Sequence, residues 1–137
     1  MMEGYKEIKE VYDNPLPNLR FTGVIEREEV NIFCNISDVF ILPSYYESFA
    51  LVALEAANTD KPIILRDLDT YKDIYYDNVL YGKNNNDFNK YIRNLKNNQK
   101  LYKEYVNKTK NIKKMYNEKE IYKKWLNLYK TIYNKNK

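Results

Sequence analysis

The chain has 137 residues, with 23 Lys and Arg against 19 Asp and Glu, no histidine and a single cysteine. That length suits one domain, the lone Cys34 excludes an intrachain disulfide or thiolate metal cluster, and the lack of histidine removes the commonest general acid–base side chain. No apolar run of about 18 residues is available to span a membrane, and the polar opening Met1-Met2-Glu3-Gly4 does not read as a signal peptide, so a cytoplasmic chain is expected.

In chain order, a short helix is expected near residues 3–12, then, past Pro15 and Pro17, a strand at 19–23. A helix at 27–37, holding Cys34 as a small core residue, precedes a strand at 38–42. The run Val39-Phe40-Ile41-Leu42 ends at Pro43, and Pro62-Ile63-Ile64-Leu65 opens on a proline. Both read as buried parallel strands. Between them Leu51 and Leu54 fall at helical spacing, with Ala53, Ala56 and Ala57 keeping one side thin enough to lie close on a sheet, so a helix is expected over 48–58. Beyond the strand at 62–66 come a helix or turn at 69–76, a short strand at 79–81, a hinge-like loop at Asn84-Asn85-Asn86, and two or three helices from 86 to 134. The class is therefore α/β: a short parallel sheet of three or four strands with a helical C-terminal tail. An open strand edge on such a sheet invites self-association or pairing with another chain.

Charge is distributed unevenly along these elements. Residues 1–89 hold 8 Lys and Arg against 16 Asp and Glu, whereas residues 90–137 hold 15 against 3. In the basic part Phe88, Tyr91, Ile92 and Leu95, and later Ile121, Tyr122, Trp125, Tyr129, Ile132 and Tyr133, recur at helical spacing with lysines on the other face. Three readings of this tail stand open. Its apolar stripe covers the sheet and its lysines face water; or it adsorbs to an anionic membrane surface; or it binds nucleic acid, for which it has charge and aromatics but no recognisable motif.

The segment from Pro43 to Glu55 carries the chemistry. Glu47 stands where the first buried strand turns into the helix, and Glu55 lies two turns further on. In open parallel sheets ligands sit outside the carboxyl ends of the strands, where helices begin and free N–H groups favour phosphate. With a helix starting near Ser48 the two carboxylates would lie roughly 10–12 Å apart. That span suits one ligand with hydroxyls at both ends and phosphates between. Two glutamates eight residues apart are by themselves more often solvated helix residues; the flanking strands give this pair its weight.

The string Pro43-Ser44-Tyr45-Tyr46-Glu47-Ser48-Phe49-Ala50-Leu51-Val52-Ala53-Leu54-Glu55-Ala56, followed by Lys61-Pro62-Ile63-Ile64, resembles the E-x7-E signature of family-4 retaining glycosyltransferases of GT-B fold. The resemblance implies a partial Rossmann-like C-terminal domain that binds a nucleotide sugar such as UDP-glucose. It implies further that Glu47 contacts the sugar hydroxyls, that the backbone of Ser48, Phe49, Ala50, Leu51 and Val52 cradles sugar and diphosphate, and that Glu55 holds the ribose. The family's usual pattern has glycines beside the phenylalanine, where this chain has Ser48 and Ala50. Upstream, Asn18-Leu19-Arg20-Phe21-Thr22-Gly23 resembles the strand before the nucleobase loop, which would set Val24 and Ile25 beside the base. Leu65-Arg66-Asp67-Leu68 with Tyr71-Lys72 resembles segments of bacterial enzymes that glucosylate diacylglycerol. Arg66 and Asp67 would then line the donor crevice, or else form an ion pair near the surface.

Under that resemblance residues 1–137 form a single incomplete domain, with the βα core at 18–83 and the basic helices at 86–134. The acceptor-binding half of a GT-B enzyme, and the Arg and Lys that neutralise the diphosphate, have no counterpart in the sequence. The isolated chain is expected to be inactive, with no catalytic residue beyond the part Glu47 plays in orienting the sugar. Its expected partners are a nucleotide sugar, the other GT-B half and an anionic membrane surface on the cytoplasmic side, with no metal or other cofactor. The competing reading is a non-catalytic nucleotide-sugar-binding or membrane-surface interaction module.

Overall fold

The computed structural model describes residue 9 and residues 11–135, with residues up to Val30 and those from Asn31 onward forming two compact units. In the first, residues 11–13 are helical, a turn closes with the Leu19 N–H donating to the Leu16 carbonyl at 2.8 Å, and the Tyr12 and Phe21 rings lie 4.9 Å apart. Most of the helix expected at 3–12 lies outside the described residues. The strand expected at 19–23 does not form: Gly23 takes φ 68° and Val24 is fully exposed, so no extended ladder is built there. Helix α1, Arg27–Ile36, starts with Glu28 and Glu29 in its first turn, where the Glu29 carboxylate accepts from the Glu26 N–H at 2.8 Å. This is half of a capping box, and the acidic pair suits the positive end of the helix dipole.

The second unit holds a sheet of three parallel strands, β1 (Phe40–Leu42), β2 (Ile63–Arg66) and β3 (Leu80–Gly82), in the order β1-β2-β3. Phe40 pairs with Ile63, Ile41 with Ile64, and Leu42 with Leu65; on the other side Ile64 pairs with Leu80, Leu65 with Tyr81, and Arg66 with Gly82. The central strand is buried on both faces, as a parallel strand covered by helices should be. Helix α2 (Leu51–Ala57) joins β1 to β2, packs on both and buries Ala53, Ala56 and Ala57. The alanines do what their size allows: they bring the helix backbone close to the sheet. Helix α3 (Asp69–Tyr75) joins β2 to β3.

The basic tail forms three helices, α4 (Asn85–Asn97), α5 (Gln99–Met115) and α6 (Glu118–Lys135). Asn84 is no hinge: its side chain caps α4 by accepting from the Asp87 N–H at 3.1 Å, and Asn85 and Asn86 lie inside the helix. Asn98 caps α5 in the same way through the Leu101 N–H. Phe88 and Leu95 of α4 pack with Ile64 and Leu80 of the sheet, and Val39, Tyr91, Leu101, Tyr102 and Tyr105 close around them. Helix α5 is stitched on by hydroxyls at seven-residue intervals. Tyr102 donates to the Asp38 carbonyl at 3.1 Å, Thr109 to Lys61 at 2.9 Å and Tyr116 to Ile74 at 3.0 Å. The stripe of α4 therefore covers the sheet, and that of α5 packs on α2 and α4. In α6 no residue is buried, and Tyr122, Trp125, Leu128, Tyr129, Ile132 and Tyr133 are all exposed.

Candidate functional site

Residues 43–50 connect the carboxyl end of β1 to α2, so the loop stands at the edge of the sheet where ligands of this topology bind. The signature helix begins at Leu51, three residues later than its sequence suggests, because Ala50 adopts the left-handed conformation (φ 53°, ψ 60°) and breaks the helical path. Glu47, Ser48 and Phe49 consequently belong to the loop, with Glu47 and Ser48 exposed and Ala50 buried. Leu51 is exposed and Val52 half-buried at the first turn of α2, and Glu55 is half-buried in its second. The two glutamates thus sit on different kinds of backbone, and the regular helical rise between them does not apply.

The loop is held from the next βα unit at both ends. At its start the Arg66 guanidinium, 4% exposed, donates through Nε and Nη2 to the Pro43 carbonyl (3.2 and 3.0 Å) and through Nη1 to the Lys83 carbonyl (3.1 Å). Its plane lies 4.2 Å from the Tyr45 ring centre and 5.0 Å from that of Phe88. The carboxyl ends of all three strands are therefore joined through one side chain. Arg66 neither lines an open crevice nor forms a surface ion pair; among the described residues no carboxylate lies within salt-bridge distance of it. Such a buried cation, stacked on aromatic rings and bonded only to carbonyls, suits the planar fork of arginine and would not suit lysine.

Asp67, next in the chain, takes the ion-pair role instead, with Lys72 Nζ at 2.6 Å and Lys83 Nζ at 3.9 Å. The Asp67 hydrogen bond and charge raise the Lys72 ammonium above the ordinary lysine range. At the loop's far end the buried Tyr75 hydroxyl lies 3.0 Å from the Ala50 carbonyl and 3.3 Å from that of Phe49, and donates to this pair. Phe49 itself meets Tyr116 edge-on, with ring centres 6.2 Å apart.

Electrostatics separates the two glutamates. Burial first, then the Glu47 carboxylate, push the Tyr71 phenol up to about 12, and Glu47 also contributes weakly to the raised Tyr75 phenol. Burial first, then Glu55, raise the Cys34 thiol on α1. The Glu47 charge is thus felt by tyrosines of α3 and the Glu55 charge by Cys34 of α1. No group of three or more His, Cys, Asp and Glu side chains among the described residues is arranged to hold a metal ion. A cleft of about 550 Å³, lined by Asp38, Val39, Ile92, Leu95, Gln99 and Tyr102, lies at the amino end of β1, the wrong end of the strand for this chemistry.

The pins Arg66 and Tyr75 are what sequence reasoning did not identify as such. Tyr71 and Tyr75, four residues apart after an apolar strand, signal a buried helical face, but their hydroxyl partners are remote in the chain.

The profile of the family described as glycosyl transferases group 1 matches residues 4–112. The chain is similar to an alpha-galactosylglucosyldiacylglycerol synthase of Streptococcus pneumoniae, 35% identical over 94% of this chain and 34% of the relative. It is similar also to a processive diacylglycerol alpha-glucosyltransferase of Acholeplasma laidlawii, 29% identical over 64% of this chain and 27% of the relative. A shorter stretch, 33% of the chain, is 42% identical to part of a glycogen synthase of Mycobacterium tuberculosis. The chain therefore spans about a third or less of the length of the curated relatives it matches.

Proposed function

Because the chain belongs to the glycosyl transferases of group 1, we propose that it forms the donor-binding part of a retaining hexosyltransferase that takes a nucleotide sugar such as UDP-glucose. The observation that carries this reading is the loop at residues 43–50: it leaves the carboxyl end of a parallel strand, bears Glu47 exposed, and has its backbone fixed at Pro43 and at Phe49 and Ala50. Glu47 orients the sugar by accepting from its hydroxyls, the backbone from Ser48 to Val52 lies against sugar and diphosphate, and Glu55 takes the ribose. None of these roles moves a proton, which suits a chain without histidine.

The names of two relatives contain glucosyl and diacylglycerol, which supports a hexose donor and a diacylglycerol-based acceptor for the enzyme this chain serves. Transfer itself requires the acceptor-binding half. Calorimetric titration of UDP-glucose and UDP-galactose into the chain tests the donor site. Saturable heat that falls at least about tenfold in affinity in both Glu47→Ala and Glu55→Ala, with the fold intact, is expected. Absence of saturable heat with either sugar nucleotide removes the claim.

One observation favours an added membrane-surface role. Helix α6 has no buried residue, and its Trp and Tyr face is accompanied by Lys119, Lys123, Lys124 and Lys130, a composition suited to an anionic bilayer interface. No helix among the described residues is long and apolar enough to cross a membrane. Sedimentation with phosphatidylglycerol liposomes should carry the full chain down and leave a chain lacking residues 117–137 in solution; equal partitioning of both would exclude this role.

A further inference from the structure

Tyr71 and Tyr75 stand one turn apart on α3, both with 0% exposure, their rings edge to face at 6.0 Å. A phenol buried this completely normally finds a hydrogen-bond partner. Tyr75 has one in the Phe49 and Ala50 carbonyls. Tyr71 has none: among the described residues its hydroxyl is buried without a hydrogen bond, although its own backbone carbonyl accepts from Tyr81. In the free protein this hydroxyl is a liability, since an unsatisfied buried donor costs stability and a phenylalanine would fill the same space without it.

The surroundings suggest its use. Tyr71 packs against Tyr75, whose hydroxyl holds the Phe49 and Ala50 carbonyls two and three residues after Glu47, and the Glu47 charge adds to burial in raising the Tyr71 phenol. The loop backbone is fixed at Pro43 and at Phe49 and Ala50, which leaves the exposed Glu47 side chain as the part free to turn.

We propose that the two tyrosines are positioning residues for the donor sugar: Tyr75 fixes the backbone that carries Glu47, and the unengaged Tyr71 hydroxyl donates to one Glu47 oxygen when the other accepts from a bound hexose. This rests on the donor-site reading above. An ionised carboxylate only accepts, so it meets the phenol and a sugar hydroxyl at once without any proton transfer. A phenol pushed up to about 12 stays protonated at neutral pH and available as the donor.

The experiment titrates UDP-glucose and UDP into the full chain and into Tyr71→Phe, Tyr75→Phe, Glu47→Ala and the Glu47→Ala/Tyr71→Phe double variant, with melting temperatures recorded without ligand. Tyr71→Phe is expected to melt at or above the parent temperature, to bind UDP unchanged and to bind UDP-glucose about tenfold more weakly. In the Glu47→Ala background the same substitution should leave UDP-glucose affinity unchanged, because the pair acts as a unit in binding. Tyr75→Phe should weaken both ligands and lower the melting temperature. A Tyr71→Phe variant that binds UDP-glucose normally, loses UDP and UDP-glucose equally, or melts lower overturns the tyrosine proposal alone. A parent chain that gives no saturable heat with either ligand overturns the donor-site reading and this proposal with it.

Discussion

Ala50 shows at single-residue scale how the loop is shaped and what that shape costs. An L-residue with a Cβ in the left-handed region is strained by about 1 kcal/mol relative to glycine. Ala50→Gly should therefore raise the urea midpoint by an amount worth about 0.5–1 kcal/mol, whereas Ala50→Val, β-branched and larger, should lower it by more. Arg66 is a different case, a buried charge held by carbonyl acceptors and aromatic rings. Arg66→Met strips the Pro43 and Lys83 carbonyls of their donors, and a loss of about 2–4 kcal/mol is expected in equilibrium unfolding. Arg66→Lys should recover only part of that loss, since one ammonium cannot reproduce the fork between Tyr45 and Phe88.

At the scale of elements, the contacts between β3 and α4 and the bond from α5 to the turn before β2 set how tightly the helices sit. A Cβ added to Gly82 would come within 2.8 Å of the Phe88 ring, so the glycine lets α4 approach β3. Gly82→Ala must displace a buried ring and is expected to cost about 1–3 kcal/mol, read from the same unfolding curves. Thr109, fully buried, ties α5 to the turn before β2 through the Lys61 carbonyl. Thr109→Val keeps the volume but leaves that carbonyl without its donor, for an expected loss of about 1–2 kcal/mol. Helix α6 differs from both. With no buried residue it adds little to this core, and removing residues 117–137 should change the unfolding free energy by less than about 1 kcal/mol.

For the molecule as a whole, pH acts from the alkaline side. Burial holds the Tyr71 and Tyr75 phenols above their ordinary value of 10.0, while the unfolded chain ionises them normally. Above pH 10 the unfolded state gives up protons that the folded state keeps, so stability is fully present below that pH and falls as pH rises toward 12 and beyond. The decline is at most about 1.4 kcal/mol per pH unit for each tyrosine, and urea midpoints at pH 8, 10 and 11 measure it.

The sequence by itself determined the parallel βαβ unit, the signature segment from Pro43 to Glu55 and the amphipathic tail, because proline-bounded apolar runs, alanine spacing and helical periodicity are local properties of the chain. It misplaced the start of α2 by three residues, since apolar spacing does not reveal the left-handed turn at Ala50. It read Asn84-Asn85-Asn86 as a loop, where the first asparagine is a cap. Only the tertiary structure decided that Arg66 points inward to Pro43 and Lys83, that Tyr75 holds the loop at residues 43–50 while the Tyr71 hydroxyl stays unbonded, and that α4 and α5 pack into the core while α6 buries no residue. Each of these depends on partners tens of residues away, which come together only when the strands are aligned in register.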